Sequence, residues 1–130
     1  MPQEKFVRVQ GSIDFTLTER SPERVVAEMS VQEGIKNPFG VVHAGAMLWF
    51  ADVAATALVM GVGAAEEGMK GFPLAISLNA NFLGNQKEGS FKAISTFVKK
   101  GKTVSVVRTS VMGADGKLIA DITTSHVLSK

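Results

Sequence analysis

The stretch VVHAGAMLWFADVAATALVMGVGAA, residues 41–65, is almost entirely apolar and carries a single formal charge, Asp52. It is long enough to span a bilayer. A carboxylate at bilayer centre, however, costs about 2.5–3.5 kcal/mol even on insertion scales. Gly61 and Gly63 erode the end of the stretch, and no aromatic belt frames it. It therefore reads as a helix over residues 44–65 enclosed by protein on nearly every side. Such a helix needs a wide surround. A curved sheet wrapped about it supplies one, with a second subunit on the face that remains.

The flanks supply that sheet. Upstream, Ile13, Phe15 and Leu17 alternate with Asp14, Thr16 and Thr18, and Val25, Ala27, Met29 and Val31 alternate with Val26, Glu28 and Ser30. Both runs have the period of half-buried strands, and Ser21-Pro22 marks the turn between them. Residues 34–40, with Asn37-Pro38 inside, form a loop. Downstream of a glycine-rich loop at residues 66–71, strands are expected over 74–83, 91–100, 103–112 and 117–128. They are punctuated by Gly84…Gly89, Gly101-Lys102 and Ala114-Asp115-Gly116. Asp-Gly is the favoured pair of a type I′ hairpin turn. The order β-β-α-β-β-β-β makes this an α+β chain, an antiparallel sheet around one long helix, in a single domain of residues 1–130.

Composition narrows the chemistry. With 45% hydrophobic and 20% charged residues and a mean hydropathy of +0.19, the chain has the profile of a folded, well-buried domain. It contains no cysteine, which excludes disulfides, thiol nucleophiles and iron–sulfur clusters. His43 and His126 are its only histidines, so no three-His metal site forms within one chain. The N-terminus has no apolar signal region, and the expected location is cytoplasmic. Net charge is +2, unevenly spread: residues 1–70 hold six Lys/Arg against nine Asp/Glu, residues 71–130 eight against three. The basic stripe from Lys87 to Arg108 suits a phosphate-bearing partner or a solvated strand face. Gly84…Gly89 has the glycine spacing of a phosphate-binding loop, but Ser90 stands where its lysine belongs, so it reads as a plain turn. No motif supports nucleic acid.

Candidate chemistry gathers at Asn37, His43, Ala44, Gly45 and Asp52. Burying Asp52 is costly without a partner, and residues 41–69 contain no Lys or Arg to pair with it. At the start of the helix the backbone N–H groups of Ala44 and Gly45 are suited to a developing oxyanion. Asn37 has the chemistry to bond a carbonyl or to hold His43. Asp52 lies eight residues past Ala44, about 12 Å along a helix. A carboxylate and oxyanion donors that far apart cannot grip one reacting carbonyl. Acting together, they must come from two subunits with helices side by side and antiparallel.

Asn37, His43-Ala44-Gly45 and helical Asp52, in this strand setting, resemble the hotdog-fold acyl-CoA thioesterases over residues 12–128. The pattern is most similar to the phenylacetate-degradation branch, relatives of 4-hydroxybenzoyl-CoA thioesterase. The resemblance implies an antiparallel sheet around a central helix, homodimers or homotetramers, and hydrolysis of an aryl- or medium-chain acyl-CoA to carboxylate and free CoA. It implies no metal and no cofactor beyond the coenzyme A of the substrate, and neither a membrane nor a nucleic acid as partner. By the same likeness Asp52 would be the nucleophile or general base, Ala44 the oxyanion donor supported by Gly45, and Asn37 and His43 the groups that orient water or polarise the carbonyl. The hairpin Lys99-Lys100-Gly101-Lys102-Thr103 would meet the CoA phosphates, with Asn81 a further contact. Met47, Trp49, Phe50 and Phe82 would line the acyl pocket. Two departures stand out. Ala44 replaces the middle glycine of His-Gly-Gly, and alanine tolerates a positive φ poorly. A hydroxyl that some relatives place after the helix falls on Ala75, leaving Ser77, two residues on and on the same face, and Thr56, one helical turn past Asp52. The alternative reading is a non-catalytic hotdog sensor or carrier of acyl-CoA.

Overall fold

A computed structural model describes residues 7–61 and 71–128. Strands β1 (Thr16–Arg20) and β2 (Arg24–Ser30) precede helix α1 (Ala44–Met60). Strands β3 (Pro73–Phe82), β4 (Ser90–Lys99), β5 (Val104–Met112) and β6 (Leu118–Leu128) follow it. They form one six-stranded antiparallel sheet in the order β1-β2-β4-β5-β6-β3. The helix separates β2 from β3 in the chain, and β3 crosses to the edge opposite β1.

α1 touches every strand. Laid flat, six strands at about 4.8 Å spacing would be more than twice as wide as a helix of about 10 Å diameter. The sheet therefore has to curl around α1. The apolar alternation read from the sequence explains the contact: Val25, Ala27, Met29, Phe91, Ala93, Val107, Val111 and Ile122 are all buried, together with Met47, Phe50, Ala51, Ala54 and Leu58 of the helix. Strand registry sends these side chains to the concave face.

Three local expectations are corrected. The helix ends at Met60, before the predicted residue 65. Gly61 adopts φ +83° and its N–H closes on the Ala57 carbonyl at 3.1 Å, a left-handed stop that glycine makes cheap. The predicted helix over 62–65, and nearly all of the glycine-rich loop at 66–71, lie outside the described residues. The Asp115-Gly116 turn is not type I′, because only Gly116 has a positive φ (81°). Its N–H bonds to the Gly113 carbonyl at 3.1 Å, and Gly113 N–H to Lys117 O at 2.8 Å. That is a three-residue loop ending in a left-handed glycine.

The third correction concerns β3. Ala75 pairs with His126, but the register shifts before Ser77, which pairs with Ser125. Residues directly opposite one another share a face of the sheet. His126 is buried on the concave face, while Ser125 lies on the other. The bulge at Ile76 thus turns Ser77 away from the side that Ala75 occupies. Asn81, opposite Asp121, also lies on the convex face.

Candidate active site

The helix start is built by a latched loop. Asn37 accepts from the N–H groups of Phe39 (2.9 Å) and Val41 (3.3 Å) through its side-chain oxygen, and its own N–H donates to Val41 O at 2.7 Å. With that oxygen consumed, what Asn37 offers a substrate is its amide NH₂, a donor. His43 N–H donates to Ile35 O at 2.9 Å. Between them Asn85 grips the Val42 peptide from both sides, accepting from its N–H (3.2 Å) and donating to its carbonyl (2.9 Å). Asn85 was not singled out in the sequence, where it sits inside a glycine-bounded turn. It is the group that ties the β3–β4 connection to the residue before the helix cap.

His43 is the N-cap, with an exposed side chain, and its carbonyl receives the N–H groups of Ala46 (3.1 Å) and Met47 (3.3 Å). Among the described residues neither Ala44 nor Gly45 N–H has a protein acceptor, and both residues are exposed. A Cβ added at Gly45 would meet open space. Ala44 has ordinary helical geometry, and among the described residues no residue other than glycine has a positive φ. The alanine in place of glycine therefore costs the turn nothing.

Asp52 lies two turns further along, on the wall of a cavity of about 590 Å³. Val53, Thr56, Ala57 and Met60 of α1, Leu17 and Arg20 of β1, and residues 72–75 at the start of β3 line the rest. The wall is apolar except at Asp52, Thr56 and Arg20. Asp52 Oδ1 is sealed from solvent without a hydrogen-bond partner, so the residue meets the cavity through Oδ2. Among the described residues no cation forms a salt bridge with it.

Thr56 is thus placed beside Asp52 as expected, and Ala75 shares the cavity. Asn37, His43, Ala44 and Gly45 do not line it, so one chain does not bring the two halves together. Met47 and Phe50 are core residues, 1% and 0% exposed, facing the sheet instead of the cavity. Trp49 and Phe82 are about half exposed, on the uncovered side of α1 and on the β3 edge. The lining residues missed in the sequence, Val53, Met60 and Leu17, looked there like ordinary core.

Lys99, Lys100, Lys102 and Thr103 are exposed around the β4–β5 hairpin, with Lys100 Nζ 5.6 Å from the centre of the Phe97 ring. Lys100, Gly101 and Thr103 wall a smaller cavity of about 150 Å³ with Val59 and His126, near the C-terminal end of α1. Arg108 leaves the basic stripe: it pairs with Asp121 through two bonds of 2.9 Å and holds that carboxyl below the ordinary range, chiefly through the hydrogen bonds. His126 itself is 1% exposed. Burial pushes its imidazole below the usual value of 6.5, and the charge of Asp52 works in the opposite direction. Among the described residues no cluster of three or more His, Asp or Glu is placed to hold a metal, and no helix is long and apolar enough to cross a membrane.

The family described as Thioesterase superfamily matches residues 39–120 of the chain, a segment that contains His43, Ala44, Gly45 and Asp52 and begins two residues after Asn37. Human acyl-coenzyme A thioesterase 13 is 32% identical over 117 residues, 88% of this chain and 79% of that protein. ComA2 of Bacillus subtilis (strain 168), an esterase by its description, is 32% identical over 108 residues, 83% of each chain. A Streptococcus pneumoniae thioesterase protein, crystallised with coenzyme A, superposes with a TM-score of 0.78 over 88% of either chain at 16% identity, which is a likeness of fold.

Proposed function

The chain belongs to the thioesterase superfamily, and from that premise we propose that it hydrolyses an aryl- or medium-chain acyl-CoA to the carboxylate and free coenzyme A at a site shared between two subunits. The observation that carries this reading is Asp52, a carboxylate with no salt bridge among the described residues, on the wall of a cavity that is apolar apart from it, Thr56 and Arg20. Such a group is costly as structure and useful as a base or nucleophile. The acyl chain packs against Val53, Met60 and Leu17. Asp52, acting as base, takes a proton from the water that adds to the thioester carbon, the C–S bond breaks, and the departing thiolate receives that proton. The negative charge developing on the carbonyl oxygen is met by the Ala44 and Gly45 N–H groups of the second subunit, with the Asn37 amide as a further donor. Attack by Asp52 itself and activation of water by it both use Oδ2. Single turnover in ¹⁸O-water separates them: direct attack expels the thiolate to form an anhydride, and water that opens it at the Asp52 carbonyl carbon leaves the first product unlabelled and the label in Asp52.

Support for the second subunit comes from the edge of the sheet. β3 is a ten-residue edge strand with Leu78 and Phe82 exposed. Their partners across the ladder, Thr124 and Ala120, are buried, so both point to the concave side. A long apolar edge is a pairing template that soluble chains normally cover. A second copy, antiparallel along β3, covers it and also covers Trp49. It carries the amide end of its own helix toward Asp52.

The test is free-thiol release from a panel of aryl- and alkyl-CoA esters. Wild type is expected to turn over, and Asp52→Asn to lose about 10²–10⁴-fold in kcat. CoA esters that bind without turnover would instead make this a carrier or sensor.

A further inference from the structure

His126 belongs to none of the groups used so far, yet it is the largest polar side chain buried on the concave face. It lies on β6 directly across from Ala75, which lines the Asp52 cavity. Its Nε2 sits 2.8 Å from Thr124 Oγ1, two residues back on the same strand. Its Nδ1 is buried with no partner, and so is Asp52 Oδ1. A neutral imidazole has one donor and one acceptor nitrogen. With the Thr124 hydroxyl donating to Nε2, the proton belongs on Nδ1. Burial lowers the proton affinity of the ring, and the Asp52 charge acts on it in the opposite direction.

We propose that His126 is the positioning residue for Asp52: its Nδ1–H, through one water molecule, donates toward Oδ1, so that Oδ2 stays turned to the cavity. Two buried polar atoms, one donor and one acceptor, supply the partners that a bridging water needs. A carboxylate held at one oxygen presents the other in a fixed direction, as outer-shell partners orient metal ligands. Among the described residues lining the two cavities, the other charged side chains are Arg20, on the β1 side of the large one, and Lys100, in the small one. From β3 and β5 the ring is faced by Ala75 and Ser105, which are uncharged.

The inference rests on Asp52 being the working carboxylate, so its test has one arm that needs no activity. In ¹⁵N-histidine NMR of the full chain, only two rings give signals, and His43→Gln assigns them. His126 is expected neutral at pH 7 with its proton on Nδ1. Its titration midpoint should fall in Asp52→Asn, which removes the charge favouring the proton, and Thr124→Val should shift the tautomer toward Nε2–H. A wild-type Nε2–H tautomer, or a midpoint indifferent to Asp52, overturns the proposal whether or not the protein turns over. In the kinetic arm, His126→Phe should lower kcat about 10–100-fold with KM within about twofold, His126→Gln should recover part of the loss, and Thr124→Val should cost a few-fold. Loss confined to KM, or Gln no better than Phe in a folded protein, overturns it as well. A wild type inactive on every thioester would sink the hydrolase reading, and the NMR arm would still decide the coupling.

Discussion

Ala44 occupies the first helical position, where proline is tolerated because that N–H has no partner within the helix. Ala44→Pro therefore deletes an N–H proposed as an oxyanion donor, with little cost to the fold. Its kcat should fall about 10²–10³-fold while the melting temperature changes little. A large fall in Tm, or unchanged turnover, would contradict the assigned role. His126 gives a pH prediction of opposite character. Its folded pKa lies below 6.5, so as pH falls the unfolded chain takes up a proton first. Stability is thus fully present above the ordinary histidine value and is lost as pH falls from there through the lowered folded value. Urea titrations between about pH 7.5 and pH 5 should show this slope, and His126→Phe should flatten it. Asp52 was legible in the sequence because a charge amid unbroken apolar residues needs a reason. His126 had the same signal, a titratable group on the inward period of the last strand, between buried Thr124 and the strand end. Asn85 carried none, since its two bonds to Val42 join residues 43 apart in sequence.

Among the elements, the helix and six strands were readable from periodicity to within a residue or three at most ends. What was misread depends on pairing. The bulge in β3 that turns Ser77 outward arises from how β3 registers against β6, and no residue in Leu74–Leu83 announces it. Gly61 stops the helix because its backbone turns left-handed there, although the apolar run continues beyond it. The β4–β5 hairpin bears the remaining prediction of this kind. Replacing Lys99, Lys100 and Lys102 together with alanine should raise KM for CoA esters, and less so as salt is added, while sparing a pantetheine thioester that lacks the nucleotide phosphates. Equal losses on both substrates would move the phosphate site elsewhere.

For the assembled molecule, the decisive experiment mixes two dead variants. In an Asp52→Ala/Ala44→Pro heterodimer with shared sites, one site has lost both groups and the other has kept both. Random exchange makes half of the dimers hybrid, so about a quarter of wild-type activity should return. No recovery after proven exchange would place the whole site in one chain. A second check follows from the sheet edge: Leu78→Lys with Phe82→Glu should raise the monomer fraction in sedimentation and abolish turnover together. The chain's local order already determines an apolar helix, an inward-facing period in each strand and an isolated carboxylate, because these follow from which neighbours in sequence are apolar. It even separates Asp52 from the Ala44 amide by a helical distance too long for one carbonyl. Which side chains meet is another matter. That Met47 and Phe50 face the sheet while Val53 and Met60 line the cavity, that Asn85 clamps the helix entrance, and that His126 is buried across from Ala75 of the Asp52 cavity all depend on the curl and register of the sheet, which bring together residues far apart in the chain.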